Sequence, residues 1–211
     1  MTRRRLVLWR HGRTEWNAAK RFQGQIDVAL DAVGLVQAEA AAELLAKLRP
    51  TRIVSSDLSR ARTTAEALSR RTGVEVVVDE RLRETNAGVW QGLGRDELLA
   101  RFPDDLSAWA AGSDLRPGGG ERRTEVADRM IAAIDDALAA VPDGGTLVVA
   151  THGGAARAAV GHLLGLPMTD WVVFGVLTNC AWTVLTEQPH GWRLEEYNAR
   201  SLPEHALGDD R

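Results

Sequence analysis

Short, nearly continuous apolar runs set the limits on what this chain can fold into. Leu6-Val7-Leu8-Trp9, Ile53-Val54, residues 74–78 and residues 146–150 each lack the polar half of a one-sided strand. Such runs fit strands covered on both faces, the condition of a parallel sheet between helices. Between them the spacing turns helical. One helix opens at Asp31, carries Ala41, Leu44, Leu45 and Leu48, and stops before Pro50. A second covers about residues 59–71 and ends at Gly73. A third, about 124–140, bears the stripe Val126, Met130, Ile134 and Leu138 and breaks at Pro142-Asp143-Gly144-Gly145. A fourth covers 153–164. Strands at 181–185 and 192–197 flank a Pro-His-Gly turn and read as a closing hairpin. The alternation predicts an α/β protein, a three-layer α/β/α sandwich with a mostly parallel sheet. One domain over residues 1–200 is expected. The Gly-bearing segment 84–120, with two short helices, is expected as a partial lid, and 201–211 as a mobile tail.

Charge and cysteine usage narrow the function classes. The 211 residues carry a formal net charge of -3, which gives no footprint for nucleic acid or a membrane surface. The single cysteine, Cys180, cannot close an internal disulfide, so a reducing, cytoplasmic setting is expected. Met1-Thr2-Arg3-Arg4-Arg5 resembles the start of a signal peptide, but the apolar run behind it ends at Arg10. Arg3, Arg4 and Arg5 are then expected as a solvated edge far from His11.

In open α/β sheets ligands bind beyond the carboxyl ends of the strands. Arg10-His11-Gly12 follows the first predicted strand, Ser55-Ser56-Asp57-Leu58-Ser59-Arg60 the second, Arg83-Glu84-Thr85 the third, and Thr151-His152-Gly153-Gly154 the strand ending at Ala150. Taken singly, each has a structural explanation in a turn or a first helical turn. Together they bring two histidines, two arginines and a glutamate to one edge, where each requires pairing or a ligand.

These residue types suit phosphoryl transfer. Arginine presents a planar fork matched to phosphate oxygens. A neutral imidazole is a covalent nucleophile, and Arg10 and Arg60 disfavour its protonation at His11. Glu84 can protonate a leaving alkoxide and then deprotonate water. His152 can donate to the phosphate beside backbone amides.

The same four segments resemble the signatures of the histidine phosphatase (phosphoglycerate mutase-like) superfamily. Leu8 to Thr14 resembles its Arg-His-Gly motif, Ser55 to Ala61 its second arginine motif, and Arg81-Leu82-Arg83-Glu84 with Gly88-Val89-Trp90-Gln91-Gly92 its acid/base segment. Thr151 to Gly154 resembles its second-histidine motif. The resemblance spans Leu6 to Asn198. It implies a phosphohistidine at His11, phosphate held by Arg10, Arg60, Asn17 and His152, and Glu84 as proton donor. It further implies that Gln23, Gly24, Arg13 and Glu121 serve the substrate side and that the chain forms a homodimer. No metal or cofactor is expected, since His11 and His152 lack metal-type spacing and stand beside two cations. The partner is then a small phosphorylated metabolite. Arg21-Phe22-Gln23-Gly24-Gln25, Asn179-Cys180-Ala181-Trp182 and Trp192-Arg193-Leu194 resemble stretches of the family's glucosyl-3-phosphoglycerate phosphatases.

Three alternatives stay open at this point: a phosphoglycerate mutase, a broad-specificity phosphatase, and a silent binder of phosphorylated ligands. Arg122 stands where the family usually has serine, and either meets a substrate carboxylate or opens the next helix. Trp16 and Trp90 are expected at the pocket. His162 is expected in packing, and His190 in a turn.

Overall fold

The computed structural model describes residues 3–201. β1 (Arg5–Arg10) leads through a short α1 (Glu15–Ala18) to α2 (Ala32–Leu45). β2 (Arg52–Ser55), α3 (Ser59–Thr72) and β3 (Val76–Val78) follow, then α4 (Arg95–Arg101) and α5 (Pro103–Ala110). α6 (Arg123–Leu138), β4 (Thr146–Thr151), α7 (Gly153–Leu163), β5 (Trp182–Gln188) and β6 (Gly191–Ala199) complete it. Local chemistry sets the helix ends. The Asp31 carboxylate accepts from the Gly34 amide at 2.7 Å to cap α2, and Gly73, at φ 74°, stops α3 in the left-handed region.

The six strands form one mixed sheet in the order β3-β2-β4-β1-β5-β6. β1, β4, β2 and β3 are mutually parallel, β5 runs against β1, and β6 runs against β5. The central strands are buried on both faces, as the apolar runs predicted. Leu6, Leu8, Leu147 and Val149 pack with Val126, Met130 and Ile134 of α6 and with Ala155 and Ala159 of α7. Val7, Trp9, Val148 and Ala150 pack with Ala38, Ala42 and Leu45 of α2 and with Ala65 and Leu68 of α3. The period-two alternation of a strand divides each apolar run between two helical layers. The result is the predicted α/β/α sandwich.

Two expectations need correction. The third strand is shorter than residues 74–78 and lies at the sheet edge, so Val77 and Val78 remain 42% and 47% exposed. Arg4 is no solvated edge: its Nε and Nη2 fork onto Glu187 at 2.8 and 2.6 Å, and Nη1 donates to the Leu138 carbonyl at 3.0 Å. Arg4 is thereby tied to β5 and the end of α6. The tail beyond Ser201 lies outside the described residues.

Segment 84–120 carries a small core of its own. Ala87, Trp90 and Leu98 are buried there beneath Phe22, Phe102, Leu106 and Trp109. Trp90 meets Phe22 and Trp109 edge-on at 5.7 and 6.2 Å, contacts worth about 0.5–1.5 kcal/mol each beyond area burial. Aromatic packing therefore makes a folded cap of a stretch whose glycines suggested a long loop. No described helix is long and apolar enough to cross a membrane.

Candidate active site

β1 and β4 continue their parallel pairing one step past the strands. The His11 amide donates to the Thr151 carbonyl at 3.0 Å, which brings Arg10-His11 alongside Thr151-His152. Gly12 allows the turn that follows, since a Cβ there would lie 2.4 Å from the Gly34 carbonyl oxygen. The Cys180 amide, from a residue at φ 57°, and the Asn179 side chain both donate to the His11 carbonyl, each at 3.2 Å. His11 is thus clamped from β1, β4 and the start of β5.

The tautomer of His11 follows from its contacts. Nδ1 lies 2.7 Å from the Gly12 carbonyl oxygen, which can only accept, so Nδ1 carries the proton and Nε2 keeps its lone pair. His11 is 3% exposed, and burial, followed by Arg60 and Arg10, holds its pKa well below 6.5. The ring is neutral at ordinary pH.

Arg60, from the first turn of α3, is fully buried. Its Nη1 donates to the Ile26 carbonyl at 2.8 Å, Nη2 to the Gly24 carbonyl at 2.7 Å and Nε to His152 Nδ1 at 3.2 Å. Those three bonds leave two of the five guanidinium N–H groups unspent. Desolvation lowers its pKa to about 10. Arg10 donates to the Leu177 carbonyl, and its buried Nε has no partner. Among the described residues neither arginine forms an ion pair with a carboxylate. Both line a cavity of about 240 Å³ together with His11, Asn17, Gln23, Gly24 and Glu84. A larger hollow of about 490 Å³ lies on the other side of Arg10, against α2 and the start of β5, and holds neither histidine nor carboxylate.

His152 stands behind this cavity and does not line it. Its Nδ1 accepts from Arg60, so Nε2 carries the proton and donates to Ser56 Oγ at 3.0 Å. The ring lies 5.1 Å from that of His11, and burial together with Arg60 and His11 holds its pKa well below 6.5. The expected donation from His152 to phosphate meets a different arrangement here, because both ring nitrogens are already engaged.

Glu84 grips the start of α7. Oε2 accepts from the Gly154 amide, and Oε1 from the amides of Ala155 and Thr85, at 2.8–2.9 Å. A carboxylate at a helix N-terminus is favoured by those free amides and by the helix dipole. A Cβ at Gly154 would come within 2.6 Å of Glu84 Oε1 and push the carboxylate off these amides. The backbone around Glu84 is itself held by Arg129 of α6. Arg129 donates to the carbonyls of Arg81, Arg83 and Glu84 at 2.7, 2.6 and 3.0 Å and forks onto Glu121 at 2.8 and 2.9 Å, which spends all five of its donors.

Of the residues expected on the substrate side, Gln23 and Gly24 line the cavity and Asn17 joins them. Asn17 Oδ1 accepts from the Thr14 amide and from Asn179 Nδ2, both at 3.1 Å, which leaves its NH2 group for the cavity. Arg13 and Glu121 are elsewhere. Arg13 pairs with Asp31 at 2.8 Å, while Glu121 is consumed by Arg129 and by the Asn86 amide at 2.7 Å. Both charges are already met within the protein. Arg122 opens α6 as its N-cap and reaches the Asp114 carbonyl at 2.9 Å, away from the cavity. Trp90 is fully buried in the cap, and Trp16 does not line the cavity. His162 is exposed, contrary to the expected packing role, and His190 is exposed in the β5–β6 turn. Among the described residues no group of three or more His, Cys, Asp and Glu side chains is arranged to hold a metal ion.

Trp109, Thr85, Val176 and Arg157 also line the cavity and were missed from the sequence. For Arg157 a signal existed. It stands three residues after Gly154 on the same helix, and residues at that spacing share a face.

The profile of the histidine phosphatase superfamily (branch 1) matches residues 6–200. The chain is 42% identical to glucosyl-3-phosphoglycerate phosphatase of Mycolicibacterium vanbaalenii, over 93% of this chain and 95% of the relative. It is 38% identical to a metal-independent phosphoserine phosphatase of Arabidopsis thaliana, over 92% of this chain and 80% of the relative. A solved structure of mycobacterial glucosyl-3-phosphoglycerate phosphatase in complex with VO3 superposes with a TM-score of 0.89 at 42% identity, covering 93% of this chain and 99% of that one. The chain is a phosphomonoester hydrolase and belongs to branch 1 of the histidine phosphatase superfamily.

Proposed function

We propose that this enzyme removes the phosphate of glucosyl-3-phosphoglycerate through a phosphohistidine at His11. The observation that carries the reading is the lone pair of His11 Nε2, left free by the Nδ1 bond to Gly12, in a cavity that Arg10 and Arg60 line without carboxylate partners. Nε2 attacks phosphorus, the N–P bond forms, and the ester P–O bond breaks. Arg10, Arg60 and the Asn17 amide hold the phosphoryl oxygens as charge moves onto them. His152 keeps Arg60 in place through its Nδ1 contact. Glu84 gives its proton to the leaving alkoxide and then takes one from the water that attacks phosphohistidine, releasing inorganic phosphate. Three amides occupy three of the roughly four lone-pair sites of its carboxylate, and the remaining site, on Oε2, is the one open for the proton it passes.

The substrate assignment rests on the relatives of that activity and on cavity size. About 240 Å³ is small for a ligand site, so it grips a phosphorylated three-carbon acid and leaves an attached sugar at the mouth. Segment 84–120 serves as the partial lid over that mouth within a single domain. For the assembly we infer a homodimer, supported by the exposed Val33, Leu35 and Val36 near the start of α2. A cytoplasmic location agrees with the lone buried Cys180.

A kinetic panel tests the reading. Glucosyl-3-phosphoglycerate is expected to exceed 3-phosphoglycerate and glucose 6-phosphate in kcat/KM by more than about tenfold, roughly 1.4 kcal/mol of transition-state binding. A flat profile would point to a broad-specificity phosphatase. Interconversion of phosphoglycerates without phosphate release would make the protein a mutase.

A further inference from the structure

We infer that Arg157 is a specificity residue that receives a carboxylate of the substrate beside the phosphoester; the inference rests on the phosphatase reading above and extends it to the substrate's second anionic group. Arg157 lies on α7, one turn beyond the amides that hold Glu84, and lines the same cavity as His11, Arg60 and Glu84. Its guanidinium stands 6.0 Å from the centre of the Trp109 ring. Among the described residues no carboxylate pairs with it and no acceptor takes a hydrogen bond from it. Glu84, the carboxylate sharing the cavity, is instead occupied by three backbone amides.

Behind that wall, on Trp109 but outside the cavity, stands a second guanidinium in a similar condition. Arg123 stacks on Trp109 at 4.7 Å, donates through Nη2 to the Trp109 carbonyl, and leaves its buried Nε without a partner. Desolvation, and after it the neighbouring Arg157, lowers the Arg123 pKa to about 10, and burial likewise lowers that of Arg157. Two cations collected around one indole, neither of them ion-paired with a carboxylate among the described residues, form a wall that an incoming anion would stabilise.

That anion is distinct from the transferred phosphate, whose oxygens are served by Arg10, Arg60 and Asn17. It is a carboxylate because Arg157 offers one planar fork, matched to two coplanar oxygens. The surrounding Trp109, Phe22 and Val176 side chains are uncharged, and Arg21, the remaining cation at the cavity, is already engaged by Glu97 and the Gly92 carbonyl, so no further free charge serves the three oxygens of a second phosphate. In a cavity of about 240 Å³ the two anions must be close together on one short carbon skeleton.

The test compares 3-phosphoglycerate with glycerol 3-phosphate, which replaces the carboxylate by a hydroxymethyl group. Wild-type protein is expected to favour the acid in kcat/KM. In Arg157→Gln the acid-to-alcohol ratio is expected to fall about tenfold or more, chiefly through KM, and in Arg157→Lys to fall less, because charge is kept and the fork is lost. An unchanged ratio in both variants, or a wild type without acid preference, overturns the assignment. If Arg157→Gln does not fold, the Lys variant decides by the same ratio. The two esters are also titrated calorimetrically on a His11→Ala background, with and without Arg157→Gln. Acid preference in Kd that disappears with Arg157 supports the subsite even where wild-type protein hydrolyses neither ester; only a failure to hydrolyse glucosyl-3-phosphoglycerate as well would sink the reading above, and that alone. Equal Kd values on both backgrounds overturn the subsite.

Discussion

Two walls of the cavity reach the same small space by different routes. On the phosphate wall, Arg10 and His11 come directly off β1, Arg60 off the first turn of α3, and His152 off the end of β4. Apart from the side-chain contacts of His152 with Arg60 and Ser56, their contacts are to neighbouring backbone: Gly12, Thr151, Gly24, Ile26 and Leu177. On the opposite wall, Trp109 comes from the cap and Arg157 from the flank of α7, and the two guanidinium groups there meet an aromatic ring. The first wall is fixed by the sheet, as reaction chemistry requires of groups that must not reorganise. The second depends on how the cap docks, and it can diverge in substrate choice without disturbing the chemistry.

The comparison breaks most visibly at Arg60. Arg60→Ala is expected to lower kcat/KM by about 100- to 1,000-fold on every phosphomonoester, with and without a carboxylate, as for loss of a preorganised charge donor. A loss confined to acidic substrates, measured on the same panel, would mean the two walls do not divide the work as described.

A smaller and more selective effect is expected at the joint between the walls. Arg129 holds the carbonyls flanking Glu84 and the Glu121 carboxylate, so Arg129→Met lets the proton donor drift. Turnover of alkyl phosphates is expected to fall about tenfold with KM nearly constant, because the lost interaction operates in the transition state. With p-nitrophenyl phosphate, whose leaving group departs without a proton, the first step is expected to be almost insensitive. Equal losses on both ester types in pre-steady-state kinetics would assign Arg129 to stability alone.

This division also explains what was legible in the sequence. The phosphate wall follows from strands that announce themselves as apolar runs, because a strand buried on both faces must be apolar, and the residue after it then stands at the sheet edge. His11, Arg60, Glu84 and His152 were reached that way, and the order of layers with them. The cap wall obeys no such local rule. Trp109 reaches the cavity only because Trp90, Phe22 and Phe102 build a core around it. Arg13 and Glu121 sit in segments that match the family's motifs, yet their charges are met by Asp31 and Arg129, partners the sequence separates by 18 and 8 positions. The family resemblance singled out these charged groups but not which of them the fold neutralises. Arg157, whose helical face was readable from Gly154, was the one residue of that wall within reach.

The central claim is that His11 Nε2 becomes phosphorylated while its ring is neutral. Rapid mixing of the enzyme with isotopically labelled 3-phosphoglycerate, quenching in alkali and mapping of the labelled peptide tests it directly. The label is expected on His11 as an acid-labile adduct and to be absent from His11→Ala. Its rate of formation is expected to hold steady from about pH 8 to about pH 6, since burial, Arg60 and Arg10 keep the imidazole pKa well below 6.5 and protonation begins only lower. Label on any other residue, or hydrolysis by His11→Ala at the wild-type rate, would contradict the account.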